Sequence, residues 1–548
     1  MIRIVIGLVA AGAWAAVALA AENDAWSEVV TWRTADGSYA SAVHATLMPD
    51  GSVVCVGFKR DAADAAAATE QQRAVFRHEP TPLGAPLPAE RVVSEFAPPL
   101  DADPLLVPPY LVLDDLFCSG QTLLADGSLL HVGGTRAILS LETEEVSVLG
   151  LPYAARFDGV AWSREPNDMI TPGPFGEPAR WYPTVTRLAD GRALVTGGYD
   201  VVAPVASFNR STEIFDPETG TWETHSPSGV PPEEIVNADY THAVVLPESA
   251  PFFDVLLFGH AGSPVLMSLD GAFKWLSSGT PRPGTLAGEL PNLGASTALL
   301  PLRVDEGEWG YANGAVLIAG GGDPVAHQPF ADVYDPIAAA WLSRVDTGVR
   351  RHHPSTVVLP DGRVLIVAGH DKQGGDGVRR ATFIDPRRGF AVTHGAAESA
   401  EVRGYHAVSL LLPDGRVLVG GGRDAVTEES AEKVTFRYYS PPYVFRERPR
   451  VTKHPKNLQR NVLALVESKG ARPVEAVLVA LGSMTHSFDT NQRAVEVPIV
   501  SSLPTADGWI SALAPPADAG VLPAGHYMLF LVDRDRTPSR APIVRVGG

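Results

Sequence analysis

The feature that most constrains the fold is an internal repeat, in which two apolar strands are joined by Asp-Gly or a similar turn and the second strand ends in glycine. Seven copies lie between about residues 41 and 422: "VHATLMPDGSVVCVG", "GQTLLADGSLLHVGG", "VTRLADGRALVTGG", "HAVVLPESAPFFDVLLFGH", "STALLPLRVDEGEWGYANGAVLIAGGG", "STVVLPDGRVLIVAGH" and "AVSLLLPDGRVLVGGG". Because Asp and Gly tolerate positive φ, each copy is predicted to be a β-hairpin. Hairpins repeated in this way bury their faces against one another, which indicates one large repetitive domain.

The repeat resembles the kelch repeat, and this resemblance implies an all-β chain whose main domain is a seven-bladed β-propeller. A β-sandwich of many short strands is the alternative. The repeat stops after "RYYSPPYVF", and the short alternating strands that follow predict a separate immunoglobulin-like sandwich. The predicted organisation is a signal peptide at 1–20, the propeller at 21–445 and the sandwich at 446–548.

The N-terminus has one Arg ahead of an apolar run that ends in Ala18-Leu19-Ala20, as in a secretory signal peptide. This pattern predicts a protein that is secreted, periplasmic or held at the cell surface; retention of Ile4 to Ala21 as a membrane anchor is the alternative. The net charge of −19 argues against nucleic acid and against a basic membrane-binding face. We expect the protein to be a monomer.

The inner strand of each copy begins at a fixed distance before its turn. Counting back seven residues from the residue before the turn gives one position per copy: Ala42, Cys118, Tyr182, Tyr240, Gly294, His353 and His406. Inner strands line the axis of a propeller, so these positions are predicted to form a ring around it. Five of the seven are Cys, Tyr or His, and Tyr405 and His352 stand beside two of them.

Packing explains any one of these side chains alone, but their clustering in one register favours a site. Imidazole nitrogens and phenolate oxygens suit copper better than magnesium or calcium, which prefer carboxylates and carbonyls. A divalent cation also supplies the charge that lets a tyrosine lose its proton near neutral pH. The two cysteines, Cys55 and Cys118, are too few for an iron–sulfur cluster, although an exported chain could join them in one disulfide.

Five motifs then make a family resemblance specific: "FCSG" (117–120), "RWYPT" (180–184), "GYHAV" (404–408), "YYSPPYVF" (438–445) and "GSMTHSFDTNQR" (482–493). In order and spread they resemble the copper radical oxidases of the galactose oxidase and glyoxal oxidase family. The "RWYP" and Thr-His-Ser-Phe phrases are more similar to the glyoxal oxidase branch.

The resemblance implies a role for each matching residue. Cys118 matches a cysteine that forms a thioether with a tyrosine ring, and Tyr182 matches that tyrosine, a copper ligand and the radical site. Tyr405 matches the axial tyrosine that takes the substrate proton, while His406 and His486 match the two histidine ligands. The implied cofactors are copper and the protein-derived Cys118–Tyr182 radical. The implied reaction is oxidation of a small aldehyde hydrate or primary alcohol by O2, which releases hydrogen peroxide.

Some positions depart from the family pattern. In the galactose oxidases a tryptophan after the glycine pair of the "RWYPT" blade stacks on the cross-link; here Asp200 stands at that spacing, beside Tyr199. Residues that contact galactose have no match, so galactose is not the expected substrate. Tyr240, His353 and Tyr199 are candidates for lining a substrate funnel, with packing at the axis as the alternative. Two other functions stay open: an oxidase of an envelope glycan, and a non-enzymatic kelch protein in binding or adhesion.

Overall fold

The computed structural model describes residues 24–547 except 62–71, 97–104, 108, 171–177, 204–205, 210, 226–239, 248–253, 261–262, 270–273, 278–279, 286–288, 305–313, 323–327, 372–375, 398–400 and 424–430. The predicted signal peptide lies outside the described residues. Regular structure in the described part is β, apart from short 3-10 helices at Asp376–Arg379, Pro386–Arg388 and Pro442–Phe445. No helix in these ranges is long and apolar enough to cross a bilayer.

Seven four-stranded antiparallel blades account for the repeat, and each predicted hairpin supplies the two inner strands of one blade. In each blade the four strands run from the innermost to the outermost in the order given. Blades 1 to 3 are Tyr39–Leu47, Val53–Arg60, Gln72–His78, Ser94–Phe96; Gly120–Leu123, Leu129–Val132, Ala154–Phe157, Trp162–Arg164; and Thr184–Arg187, Ala193–Thr196, Thr212–Asp216, Thr221–His225. Blades 4 and 5 are His242–Val245, Val255–Phe258, Val265–Ser268, Lys274–Ser277; and Ala295–Leu299, Val316–Gly320, Phe330–Asp335, Ala340–Asp346. Blades 6 and 7 are His352–Val358, Val364–His370, Arg380–Asp385, Ala391–Ala397; and Ala407–Leu411, Val417–Gly421, Thr435–Ser440, Val30–Arg33.

The N-terminal part of the chain closes the ring of blades. Val30–Arg33 pairs with Thr435–Ser440 as the outermost strand of blade 7, and Ala25–Trp26 pairs further along the same strand. Trp32 is fully buried and stacks on Phe436, with 4.9 Å between the ring centroids. The two ends of the propeller sequence therefore hold each other, as closure of a circular fold requires.

Four fully buried arginines repeat between blades: Arg180, Arg282, Arg351 and Arg403. Each guanidinium donates to a carbonyl oxygen near the end of a second strand, respectively Gly197, Gly320, Ala368 and Gly421. A buried charge is tolerated when it is hydrogen-bonded and paired. Two of the arginines also pair with buried carboxylates, Arg180 with Glu213 at 2.9 Å and Arg282 with Asp332 at 2.6 Å.

Two further β structures surround the propeller. One is a six-stranded sheet of strands inserted around blades 2 and 3: Leu105–Val107, Tyr110–Asp115, Thr135–Ser140, Val146–Gly150, Tyr199–Ala203 and Ser207–Phe208. The other is a C-terminal sandwich of two sheets: Arg450–Lys453, Ala464–Lys469, Trp509–Leu513, Ile499–Pro504; and Asn457–Gln459, Ile543–Gly547, Gly525–Asp533, Pro473–Ala480, Ala494–Val497. The predicted fold class, a seven-bladed propeller followed by a β-sandwich, is confirmed.

Candidate active site

The ring positions counted from the sequence share one unusual backbone conformation. Six of the seven have a left-handed φ: Cys118 (63°), Tyr182 (62°), Tyr240 (45°), Gly294 (62°), His353 (54°) and His406 (70°). The seventh, Ala42, adjoins a β-bulge in blade 1. A left-handed non-glycine residue costs about 1–3 kcal/mol, and such residues cluster at functional sites. The repeat therefore holds these side chains in a strained but equivalent position at the start of each inner strand.

Main-chain hydrogen bonds join ring positions of successive blades. The N–H of Tyr182 donates to the carbonyl of Cys118 at 2.7 Å, and the N–H of Tyr240 donates to the carbonyl of Tyr182 at 2.9 Å. On the opposite side, the N–H of His353 donates to the carbonyl of Gly294 at 2.7 Å. These bonds satisfy buried polar groups and fix each ring side chain relative to the next.

A hairpin of the C-terminal sandwich, residues 483–493, enters the axis of the propeller. Its strand Ser483–Thr485 pairs with the inner strand of blade 1, with Thr485 opposite His44. Hydrogen bonds to other blades hold the remainder: Met484 to Gln121, Ser487 to Ser296, Gln492 to Thr356 and Arg493 to Val245. Phe488 stacks on His242 with 4.5 Å between ring centroids. This docking hairpin presents His486 to the ring.

Two phenols face each other at the ring. The hydroxyl oxygens of Tyr182 and Tyr405 lie 2.5 Å apart. Cys118 is fully buried and packs in one cluster with Tyr182 and Tyr240. Burial raises the pKa of Tyr182 well above its ordinary value, and the neighbouring Cys118 raises it further. Ionisation of this phenol therefore requires a cation at the site. Both cysteines are free, so the disulfide that two exported cysteines could form is absent from the structure.

Two imidazoles complete the arrangement. The rings of His406 and His486 are 4.7 Å apart. In each ring Nδ1 is engaged, by Glu432 Oε1 at 2.5 Å for His406 and by Thr485 Oγ1 at 2.6 Å for His486. Each Nε2 is buried and has no hydrogen-bond partner among the described residues. Burial lowers the pKa of both histidines, so neutral rings with a free Nε2 lone pair are favoured.

This donor set fits copper. Two imidazole nitrogens without partners and two phenol oxygens are ligands that suit Cu(II) rather than a hard cation. In the described ranges, no group of three or more His, Cys, Asp or Glu side chains could hold a metal, so phenol oxygens are needed to complete the set. The structure thus brings together Cys118, Tyr182, Tyr405, His406 and His486, which the motifs had selected from distant parts of the chain.

The indole of Trp181 covers the Tyr182 ring. Their centroids are 3.7 Å apart and their planes differ by 10°, which is a stacked geometry. The indole N–H donates to Thr135 Oγ1 at 3.0 Å, and that hydroxyl donates to the carbonyl of Phe117 at 2.8 Å. Asp200 lies in the inserted sheet instead. The stacking group comes from the residue before Tyr182 and not from the position the galactose oxidase pattern uses.

A cavity opens at the two phenols, Tyr182 and Tyr405, and at the imidazole of His486. The funnel candidates Tyr240 and His353 both line it, but Tyr199 does not. Tyr199 packs edge-on against Trp181, with 5.6 Å between the rings, and so lies behind the stacking group. The remaining wall residues are His242, Phe258, His260, Asn292, Leu293, Gly294 and Ala295.

Sequence reasoning missed three features around the site. The stacking role of Trp181 had a usable signal, because Trp181 belongs to the "RWYPT" motif. Glu432 had none, since it lies between the second and third strands of blade 7, outside every motif. His44 also went unnoticed: it is fully buried, its ring lies 5.7 Å from that of His486, and neither ring nitrogen has a hydrogen-bond partner in the described part of the chain.

Comparison with known proteins finds similar oxidases over most of the chain. Residues 448–546 match the family model described as "Galactose oxidase-like, Early set domain". The chain is 25% identical over 486 residues to Aldehyde oxidase GLOX of Vitis pseudoreticulata, which covers 79% of this chain and 82% of that protein. It is also 25% identical over 462 residues to Galactose oxidase of Gibberella zeae, which covers 79% of this chain and 61% of the longer protein.

A solved structure has the same fold. It is a fungal alcohol oxidase described as showing catalytic diversity among the AA5 family, in complex with copper. The superposition has a TM-score of 0.68 with 17% sequence identity and covers 96% of this chain and 100% of the other. Taken with the motifs, these similarities confirm the resemblance of the chain to galactose oxidase and to aldehyde oxidases.

Proposed function

We propose that the protein is a copper radical oxidase that oxidises small aldehydes, as their hydrates, or primary alcohols with O2. The products are the acid or the aldehyde, together with hydrogen peroxide. The observation that carries the proposal is that His406 and His486, whose buried Nε2 atoms have no hydrogen-bond partner among the residues described, lie beside two phenol oxygens 2.5 Å apart. A protein that only binds a partner has no use for such a donor set.

Tyr182, Tyr405, His406 and His486 would hold the copper. When bound, copper supplies one of the two oxidising equivalents that the reaction needs and an acidic site for the substrate oxygen. The oxidised Tyr182 ring supplies the second equivalent, by accepting a hydrogen atom from the substrate carbon. Tyr405 accepts the hydroxyl proton of the substrate as general base.

The Cys118–Tyr182 thioether would make this tyrosine easier to oxidise. Its formation replaces the S–H bond of Cys118 and one ring C–H bond of Tyr182 with a C–S bond. Two protons and two electrons leave, and O2 is the oxidant that takes them up. The packing of Cys118 against Tyr182, together with the main-chain hydrogen bond from the Tyr182 N–H to the Cys118 carbonyl, supports this chemistry because it keeps the two residues side by side.

The cavity supports a small, uncharged substrate. Its described wall carries no Lys, Arg, Asp or Glu. Burial lowers the pKa of His353 well below its ordinary value, so this wall histidine is neutral as well. A carboxylate or an amine would lose its hydration here without gaining a charged partner, whereas a hydrated aldehyde or an alcohol meets Tyr240, His353 and Asn292 as hydrogen-bonding groups.

We further propose that the protein is exported by its N-terminal segment, works as a monomer and has its propeller and sandwich at 21–445 and 446–548. An envelope glycan remains a second candidate substrate, to be separated from small aldehydes by assay.

The test is peroxide production by purified protein loaded with copper. The panel contains glyoxal, methylglyoxal, short primary alcohols and neutral oligosaccharides. On a reducing denaturing gel, wild type should migrate differently from Cys118→Ser, because the thioether closes a loop that reductant cannot open. If no substrate of the panel yields peroxide although copper is bound and the thioether has formed, the proposed function is contradicted and a binding protein is favoured.

A further inference from the structure

One carboxylate stands directly behind the candidate copper site. Glu432 is 2% exposed and lies just before the third strand of blade 7. Its Oε1 accepts from Nδ1 of His406 and from Nε of Arg423, both at 2.5 Å. The guanidinium of Arg423 is a permanent donor on the same oxygen that faces His406, and this pairing suits a carboxylate acceptor.

Arg423 ties this carboxylate to the ring backbone. Its N–H donates to the carbonyl of Tyr405 at 2.9 Å, and its own carbonyl accepts from the N–H of Gly404 at 2.7 Å. Arg423 therefore links Glu432 to the main chain of Gly404 and Tyr405, while Glu432 itself contacts the side chain of His406.

The contact between Glu432 and His406 determines which ring nitrogen of His406 can bind a metal. A neutral imidazole carries one N–H, and the partner of that N–H decides which nitrogen can bind a metal. A carboxylate accepts hydrogen bonds and cannot donate one, so in this contact Nδ1 of His406 carries the hydrogen. The lone pair then stays on Nε2, which is buried and has no hydrogen-bond partner in the described part of the chain. His486 differs, because its Nδ1 contacts the hydroxyl of Thr485 rather than a carboxylate.

We propose that Glu432, held by Arg423, is a positioning residue that fixes the tautomer and orientation of His406 and strengthens it as a copper ligand. The inference rests on the proposed function, because it assigns a role towards the copper. Carboxylates behind metal-binding histidines have this effect in general, and their removal costs about 10- to 100-fold in metal affinity or activity.

The variants are Glu432→Leu, which removes the acceptor, and Glu432→Gln, which keeps an acceptor oxygen but removes the charge. Glu401→Gln is the matched control, because Glu401 is also paired with an arginine, Arg403, and contacts no histidine in the described structure. For each protein we would measure the Cu(II) dissociation constant by chelator competition, the Cu(II) EPR spectrum and the melting temperature.

We expect Glu432→Leu to weaken copper binding about 10- to 100-fold and to change the EPR parameters, with Glu432→Gln intermediate and Glu401→Gln like wild type. Equal copper affinity and unchanged EPR spectra in all four folded proteins would overturn the inference, even if melting temperatures differ.

A second measurement keeps the inference separate from the proposed function. In copper-free protein with ¹⁵N-labelled histidine, the His406 ring should be the Nδ1–H tautomer in wild type and a mixture in Glu432→Leu. A wild type that binds no copper would contradict the proposed function, while the tautomer would still decide the role of Glu432.

Discussion

The two histidines of the site reach it by different routes. His406 belongs to blade 7, in register with five other left-handed ring positions, and a carboxylate and an arginine brace it from the same blade. His486 comes from the sandwich on the docking hairpin, and the hydroxyl of Thr485 is the contact at its Nδ1. The propeller half of the site, which contains Cys118, Tyr182, Tyr405 and His406, is thus built by the repeat. The sandwich half, which is His486, depends on the docking of the hairpin.

Because of this difference, the propeller residues and His486 are held in place by different parts of the fold. The chemistry proposed for Cys118, Tyr182 and Tyr405 lies on the propeller half alone. In the proposed function the docking hairpin supplies one of the copper ligands, so copper affinity and hairpin docking should be coupled. Single substitutions can test each half of the site separately, and the sizes of their expected effects differ.

The largest effect is expected from Tyr405→Phe, which tests whether the propeller half carries the proton transfer. Loss of the general base should lower kcat by about 10²- to 10⁴-fold, measured as peroxide release from a copper-loaded enzyme. Tyr443→Phe is the control, because its buried hydroxyl donates to the carbonyl of Gly415. A wild-type kcat in Tyr405→Phe would show that Tyr405 is not the general base.

The next effect concerns the docking hairpin. Phe488 is 3% exposed and stacks on His242, and replacing a buried Phe with Ala costs about 3–5 kcal/mol. Phe488→Ala should therefore destabilise the hairpin and weaken copper binding without touching a ligand. Denaturant unfolding and copper titration would measure both.

The matched control for Phe488 is Phe215→Ala in blade 3, where the residue is equally buried but packs within the propeller. It should lose comparable stability and keep its copper affinity while folded. Equal copper affinity in the two alanine variants would break the proposed coupling between docking and binding.

A pH effect is expected at the base of the same hairpin. Burial raises the pKa of Asp489 from 3.8 to about 6. A raised carboxyl pKa gives stability that is present below about pH 4 and lost as the pH rises through 6; two pKa units correspond to about 3 kcal/mol. Asp489→Asn should remove this loss, so it should be more stable than wild type at pH 7. Parallel urea unfolding at pH 4 and pH 7 checks this, and identical pH dependence in both proteins would contradict it.

The smallest effect is expected at Trp181. Stacking of aromatic rings is worth about 0.5–1.5 kcal/mol beyond burial, so Trp181→Leu should shorten the lifetime of the oxidised Tyr182 by about 2- to 10-fold. Trp181→Phe, which keeps an aromatic plane, should retain most of it. The decay of the radical absorption measures both, and an unchanged lifetime in Trp181→Leu would exclude shielding by this indole.

The same contrast explains what the sequence could predict. The Asp-Gly turns and glycine-ended strands predicted seven blades, and the spacing placed Cys118, Tyr182 and His406 in one ring because the repeat imposes one register. His486 was found only through its motif, since a hairpin from another domain has no register with the blades. Glu432 could not be found, because no motif or repeat position marks it and its role is visible only in its contact with His406.

The central claim is that side chains from both halves meet around a single copper bonded to a modified tyrosine. Diffraction at the copper absorption edge, from crystals of copper-loaded protein exposed to O2, tests it most directly. We predict one anomalous peak in contact with Nε2 of His406, Nε2 of His486 and the hydroxyl oxygens of Tyr182 and Tyr405, and Cys118 Sγ bonded to the Tyr182 ring. A peak elsewhere, or a sulfur outside bonding distance with the imidazoles turned away, would contradict the account.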